Sequence, residues 1–540
     1  MTGRLGYTVT KDKNEKFLSP FNTQFEGVEE LKRGSYNRSD ANSTSLDANF
    51  NASYGDVIGN HTYNFVAGAQ ATQNDVRTDS YSAQGYITDK FWNPNFSNGY
   101  PDGSKPSSVV SRARSASFFL NANYAYDMRY LLDLNLRTDG ASVFGVNNPF
   151  SNTWSIGAAW NVHNEAWFEK SEILNGLKLR YSYGNPGNQN IDAKLANNVY
   201  TYYTSYQNMF GLASVITKWG NNDLRWKRTT QHNFGLNLDM FKSRLHVTAN
   251  YTTRDTDPEL ITIQQPASTG TSSVPMNIGA TENRSFSLSA RYDVIKKNDW
   301  LWSLSATTLN TKTKYAKIGD SLDKWNEEGR KNETLIRYVD GVSTSAIWAV
   351  QSAGIDPMTG NEVFIRKDGT YTYEWDVNEE VVCGDLTPDF DGNLSSSLRY
   401  KGFSFGVNFR YRYGGQIVLN TLLNKVENIS ESQLRYNQDV RAFYDRWKNP
   451  GDVATFKRID DTSATKTTTR FIADENTFEC KSISLGYETS TAAWLRTVGL
   501  TSMNFRVYMN DIFRLSTVKE ERGLDYPFQR SISASLGLRF

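Results

Sequence analysis

The chain is 540 residues long and carries 59 Lys and Arg against 58 Asp and Glu, a formal net charge of +1. Balanced, interspersed charge leaves no electrostatic footprint for nucleic acid, and two cysteines, Cys383 and Cys480, are too few for a disulfide framework or a four-cysteine metal site. Hydrophobic residues are only 38%, against a usual ~45–50%, and mean hydropathy is −0.58, yet aromatic residues reach 13%.

A polar but aromatic-rich chain fits a transmembrane β-barrel, in which apolar side chains cover only the lipid face of each strand and aromatic girdles sit at the interfaces. No run of ~18 apolar residues occurs, which excludes a helical membrane protein. Met1-Thr2-Gly3-Arg4-Leu5-Gly6-Tyr7 enters strand-like alternation directly, without the basic segment, apolar core and cleavage site of a signal peptide. The expectation is a carboxyl-terminal piece of an exported protein.

Segments of period two follow in order and number roughly sixteen. Early ones cover residues 46–54 and 61–69, with Gly55-Asp56 and Gly59-Asn60 as the turn-rich link between them. Residues 118–126 and 130–137 nearly abut across Asp127-Met128 and must form a hairpin. Strands at 154–160 and 177–183 come next. Hairpins are predicted for 233–240 with 245–251, 286–294 with 300–306, and 394–400 with 403–413. The last strands lie near 478–487, 503–509 and 530–540. In the final one Ile532, Ala534, Leu536, Leu538 and Phe540 share one face, while Ser531, Ser533, Ser535, Gly537 and Arg539 share the other. About ten residues is also the length of a tilted strand that crosses a bilayer.

Connections alternate between short and long. The long ones include 70–117, 184–229, 311–391 and 414–477, as expected where periplasmic turns are tight and extracellular loops are free to grow. From these patterns two architectures stay open: a closed sixteen-strand, porin-like barrel, or the last sixteen strands of a larger one.

Several ordered blocks carry a more specific likeness. They are Arg137-Thr138-Asp139-Gly140-Ala141-Ser142, Phe144-Gly145, Asn147-Asn148-Pro149, Tyr183-Gly184-Asn185-Pro186-Gly187-Asn188-Gln189, Asn222-Asp223-Leu224-Arg225-Trp226-Lys227, Gly354-Ile355-Asp356-Pro357 with Thr359-Gly360, and Gly384-Asp385-Leu386-Thr387-Pro388-Asp389-Phe390. Together with the terminal Phe540 they resemble the TonB-dependent transporters of the SusC/RagA type. The resemblance implies a 22-stranded barrel with a plug, driven by the TonB complex, capped by a SusD-like lipoprotein, and importing oligosaccharides or peptides across the outer membrane. Against that pattern, residues 1–540 read as barrel alone, with the plug, TonB box and about six strands lacking. Phe540 then serves as the signal to the barrel-assembly machinery. Asp139-Gly140 and Asn185-Pro186-Gly187-Asn188 have the composition of sharp turns at strand ends, and Thr387-Pro388-Asp389 suits a strand entry.

No catalytic or cofactor constellation is evident. His61, His163, His232 and His246 are scattered, and no phosphate-cradling loop ends in Gly-Lys-Ser or Gly-Lys-Thr. Asp385, Asp389, Asp391 and Asn393 lack the spacing of a calcium loop. Aromatic residues in the long loops, among them Trp219, Trp226, Trp325, Trp348, Trp375, Tyr371 and Tyr373, are the type a sugar or peptide site needs, and equally the type that packs loops together. Arg410 and Arg412 fall on the polar face of their strand, toward the lumen. Trp325, Trp348, Trp375, Arg410 and Arg412 are therefore the candidate substrate contacts. The expected function is an importer rather than an enzyme; a passive porin and a surface glycan-binding β protein are the alternatives.

Overall fold

In the computed structural model, which describes residues 1–169, 171–187, 198–265, 268, 270–271, 273–331, 335–430, 433, 437–519 and 530–540, sixteen strands lie in one antiparallel sheet in chain order. They are β1 (Thr2–Leu18), β2 (Ser35–Ile58), β3 (His61–Gln84), β4 (Ser107–Tyr126), β5 (Tyr130–Ala141), β6 (Phe150–Asn161), β7 (Leu174–Asn185), β8 (Thr229–Met240), β9 (Leu245–Thr256), β10 (Ala280–Lys297), β11 (Trp300–Ala316), β12 (Phe390–Tyr400), β13 (Phe403–Val418), β14 (Ile472–Thr489), β15 (Ser502–Ser516) and β16 (Ile532–Arg539). The chain divides into two compact units. One comprises Met1–Gly157, Gly184–Thr229 and Leu260–Asn277; the other comprises Ala158–Tyr183, Thr230–Glu259 and Ile278–Phe540.

In the first unit, register aligns the apolar positions of neighbouring strands on one face. Tyr7 pairs with Leu46, Tyr54 with Phe65, and Leu120 with Leu136. All six are exposed, as are Phe50, Leu132 and Leu134 beside them. The opposite face carries Asn49, Asn51, Asn64, Asn121, Asp133 and Asn135. A soluble sheet buries its apolar face; here that face is bare and the polar one is turned away from it. The same sorting holds in the second unit, where Phe286, Leu304, Leu394, Phe405, Leu485 and Leu536 are exposed.

Short links are tight hairpins. Asp127 and Met128 both take positive φ, 49° and 53°, as do Phe241, Lys242 and Ser243 at 55°, 57° and 56°, and Lys401 with Gly402 at 43° and 90°. A pair of left-handed residues twists a two-residue link in the sense of its flanking strands. Aromatic rings gather beside these links. Tyr63 meets Tyr124 at 5.3 Å and His61 meets Tyr126 at 5.1 Å in the first unit; Trp300 stacks on Tyr400 at 4.0 Å and Phe403 meets Tyr487 at 4.6 Å in the second. Such bands are the interfacial girdles of a membrane barrel.

The strands outrun the sequence pattern. Gly55 and Asp56 pair with Asn64 and Tyr63 inside the ladder, so the predicted link shrinks to Gly59-Asn60. Likewise residues 70–84 and 107–117, expected as loop, continue β3 and β4, leaving 85–106 as the connection. Period two fades there because both faces have become polar, with Asp75–Arg112 and Arg77–Asp79 ion pairs alongside the ladder. Asp139-Gly140 is also no turn. Gly140 pairs with Ala116 within the sheet, and a Cβ there would meet the Phe150 ring at 2.5 Å. Asp139 is buried, accepting hydrogen bonds from Arg137 Nε at 2.7 Å and Ser117 Oγ at 2.6 Å. Gly187 does turn, with φ 59°, while Asn188 and Gln189 lie outside the described residues. Cys383 and Cys480 are free thiols.

Leu134→Arg places a charge on the bare apolar face, at a cost of about 2–4 kcal/mol near mid-bilayer. The expected readout is loss of heat-modifiable migration in a detergent gel. Asn135→Arg, one residue along and on the hydrated face, should migrate as the parent does.

Candidate functional site

Two long connections of the second unit, 317–389 and 419–471, build a folded body that carries most of the candidate residues. Its start is fixed by Asp340, whose carboxylate accepts from the backbone N–H groups of Ile318 and Gly319 at 2.8 and 3.0 Å. The helix Asp323–Lys331 follows, acidic in its first turn and basic in its last, as the helix dipole favours. Its buried Asn326 exchanges two hydrogen bonds with the Tyr338 backbone, at 2.9 and 3.0 Å. A four-stranded sheet is added in the spatial order Tyr371–Thr372, Glu362–Ile365, Ala346–Ile355, Glu380–Asp385.

At the end of the Ala346–Ile355 strand, the Asp356-Pro357-Met358-Thr359-Gly360 turn is closed by Asp356. Its carboxylate accepts from Met358 N at 2.9 Å, Thr359 Oγ1 at 2.8 Å and Tyr373 Oη at 2.8 Å. These donors, the Met358 N–H foremost, hold the Asp356 carboxyl below its ordinary value. Gly360 has φ 72°, and a Cβ there would meet the Trp447 ring at 2.5 Å. Trp447 in turn donates from Nε1 to Pro357 O at 2.8 Å, so an indole from the second loop lies across the turn of the first.

The two loops are joined more firmly by a buried charge cluster. Arg470 donates to both oxygens of Glu362 at 2.9 and 2.7 Å, to Glu427 at 2.7 Å and to Thr455 O at 2.6 Å. Thr468 Oγ1 adds a bond to Glu362 at 2.8 Å, and Thr465 Oγ1 one to Glu427 at 3.2 Å. Burial pulls the Arg470 value down, but the Glu362 and Glu427 carboxylates outweigh it and the net direction is up. Nearby, Arg446 spends its guanidinium on backbone carbonyls, including those of Ala442 at 3.0 Å and Lys457 at 2.9 Å, and burial lowers its value. Phe456, Phe471, Leu423 and Val426 pack around it as a small apolar core. A second buried pair, Arg337 with Glu380 at 2.5 Å, anchors the four-stranded sheet.

The candidate residues fall on separate parts of this frame. Trp325 is half-buried on the helix, Trp348 half-buried on the Ala346–Ile355 strand opposite Val382, and Trp375 half-buried in the link before Val377. Among the described residues no ring contact joins the three. Trp226, of the first unit, is a packing residue, buried and stacked on Phe144 at 3.9 Å. The rings this body presents to solvent are instead Tyr371, Tyr373, Phe443 and Tyr444.

Arg410 and Arg412 stand on the polar face of β13, as their spacing implies. Arg410 grips Asp391 through two bonds at 3.1 and 2.7 Å. Arg412 pairs with Glu475 at 3.0 Å; Glu475 also takes Arg514 at 2.7 Å, and Arg514 reaches Glu479 at 3.0 Å. This ladder of alternating charge leaves little unmatched cation for a ligand. Sequence reading missed Arg470, Glu362, Glu427 and Trp447 because no local signal marks them: Arg470 and Glu362 are 108 positions apart.

A family model described as TonB dependent receptor-like, beta-barrel matches residues 2–449. TonB-dependent receptor P3 of Formosa agariphila is 24% identical over 461 residues, covering 80% of this chain and 44% of that protein. TonB-dependent receptor SusC of Bacteroides thetaiotaomicron is 25% identical over 453 residues, covering 79% and 44%. The chain thus spans less than half the length of these curated relatives. Among solved structures, the RagAB peptide importer in its closed-closed state superposes with a TM-score of 0.81 at 21% identity, over 99% of this chain and 59% of that one.

Arg470→Met would strand Glu362 and Glu427 without a counter-charge, a loss of about 3–5 kcal/mol for a buried pair. It should appear as rapid proteolysis within 317–389 and 419–471 while the strands keep their heat-modifiable migration. Acid should act late. Asp356 is held low by its hydrogen bonds, and Asp439, beside Arg441, is lowered from 3.8 to about 2. Carboxyls depressed in the folded state contribute fully above their ordinary value and are lost as pH falls through the folded one. Hydrogen-exchange protection of these loops should hold steady down to about pH 4 and fall only below it.

Proposed function

The chain belongs to the TonB dependent receptor-like β-barrel family of outer-membrane proteins, with a SusC/RagA-type barrel, and on that premise we propose that it serves TonB-dependent import of oligosaccharides or peptides together with a SusD-like lipoprotein. Its further partners in this reading are the TonB complex, outer-membrane lipid and the barrel-assembly machinery, the last through the exposed terminal Phe540. The reading is of a transporter and not an enzyme.

One observation supports it above the others. A sixteen-strand sheet with a bare apolar face carries, at its long-loop end, a body internally fixed by buried ion pairs. A passive pore needs no such rigid superstructure; a receptor that must hold ligand before an energised step does, because preorganised groups bind without an ordering cost. Residues 1–540 act in this reading as barrel, with Trp325, Trp348 and Trp375 shaping the loops and Arg410 and Arg412 lining the wall.

Uptake of labelled oligosaccharides and peptides by intact cells tests the proposal. Accumulation should require the protein and stop when TonB is deleted or the proton gradient is dissipated. Permeation that persists without TonB would point to a passive channel and sink the proposal.

A further inference from the structure

The apolar belt of β1 to β4 has two unlike rims. At the short-link end it closes on rings, His61, Tyr63, Tyr124 and Tyr126. The ladders joining these four strands run in unbroken register, so one alternation holds along the whole bare face. From Tyr54 that face passes the exposed Phe50 and Leu46 and reaches Thr44 after about ten residues, which is roughly 25 Å of bilayer for a strand tilted by about 40°. An apolar band of a membrane barrel is about that tall. There the face changes from apolar to cationic. Cross-strand rows put Arg114 opposite Gln73, Arg112 opposite Asp75, and Lys11 level with Arg77 through Asn42.

Charge on these rows does not balance. Every carboxylate of the outward face above the belt is matched: Glu15 with Lys13 at 2.8 Å, Asp40 with Arg38 at 2.7 Å, Asp79 with Arg77 at 3.0 Å and Asp75 with Arg112 at 2.5 Å. Lys11 and Arg114 are left over. Both are exposed, and neither has an ion-pair partner among the described residues. Arg114 donates from Nε to Gln73 Oε1 at 3.0 Å, a neutral contact that holds its guanidinium at the edge of the belt without cancelling its charge. Lys11 stands on β1 and Arg114 on β4, so three strand spacings, roughly 14 Å, part them.

We propose that this rim is a docking surface for phosphorylated lipid headgroups of the outer leaflet, with acyl chains on the belt below and separate phosphate groups on Lys11 and Arg114. Two observations identify the occupant. The cations continue the lipid-facing surface directly, on its long-loop side, where the leaflet met is the outer one. Their charge is uncancelled by protein carboxylates, and phosphate is the anion that an ammonium and a guanidinium at a lipid interface complement. The rings of the opposite rim need no such headgroup, since they anchor through amphipathic character alone. The proposal rests on the outer-membrane barrel and not on what is imported, so failure of TonB-dependent uptake leaves it standing.

The test is lipid binding by the intact protein purified from outer membranes in a neutral detergent. The probes are diphosphorylated lipid A, the same lipid stripped of its phosphates, phosphatidylethanolamine and inorganic phosphate. The phosphorylated lipid should bind about thirtyfold more tightly than the stripped one, each unmatched cation contributing roughly fivefold, and the preference should shrink in about 1 M salt. The double variant K11Q/R114Q should bring the two lipids within about twofold of each other while keeping heat-modifiable migration. K11Q alone, should the double variant not fold, should lose about fivefold, whereas K16Q, on the opposite face of the same strand, should bind as the parent does. Equal binding of the phosphorylated and stripped lipids, an unchanged preference in the K11Q variants, or a loss in K16Q as large as in K11Q would each overturn the docking surface. So would phosphatidylethanolamine or inorganic phosphate binding as tightly as the phosphorylated lipid.

Discussion

Hydrocarbon offers no partner for a backbone N–H or C=O, and everything else in the fold follows from that. Each strand must satisfy its peptide groups on its neighbours, so side chains are left to choose between only two faces. The bare row of Phe286, Leu304 and Leu394 and the hydrated row between them are two sides of one requirement. Rings beside the short links, such as Trp300 on Tyr400, mark where that solvent ends.

Beyond the belt the constraint lifts and a different chemistry takes over. The ladder of β2 and β3, each 24 residues long in all, continues past the belt and is held there by Ser, Thr and ion pairs. In the second unit, the loop body is stabilised in the manner of a soluble domain but with an ionic centre. Arg470 is placed among Glu362, Glu427 and Phe471, and nearly all of its donors are used. A satisfied buried cluster of this kind contributes less to net stability than to selecting one arrangement over others.

The strands were legible because lipid imposes a two-residue period that survives in a single sequence, and the roughly sixteen read from it match the sixteen of the sheet. Legibility stopped where the period stopped. Residues 70–84 read as loop because both faces are polar, and Asp139-Gly140 read as a turn because its composition suits one, although Gly140 is small to admit the Phe150 ring. In the loops, meaning lies in partners that are far apart along the chain. Asp356 could be recognised within its Gly-Ile-Asp-Pro block, whereas its contact with Tyr373 and the cover of Gly360 by Trp447 depend on three-dimensional closure. The tryptophans chosen from sequence were chosen for ring type, and ring type does not distinguish a half-buried strut such as Trp348 from an exposed ring such as Tyr371.

The Arg470 junction also bears on how such proteins diversify. Since 317–389 contributes Glu362 and Trp447's landing site while 419–471 contributes Arg470, Glu427 and Trp447 itself, neither segment is a free-standing cassette. Recombination that exchanges one between related receptors would inherit half a lock, so viable chimaeras should carry both together, and lineage trees drawn from the two segments should share their branching.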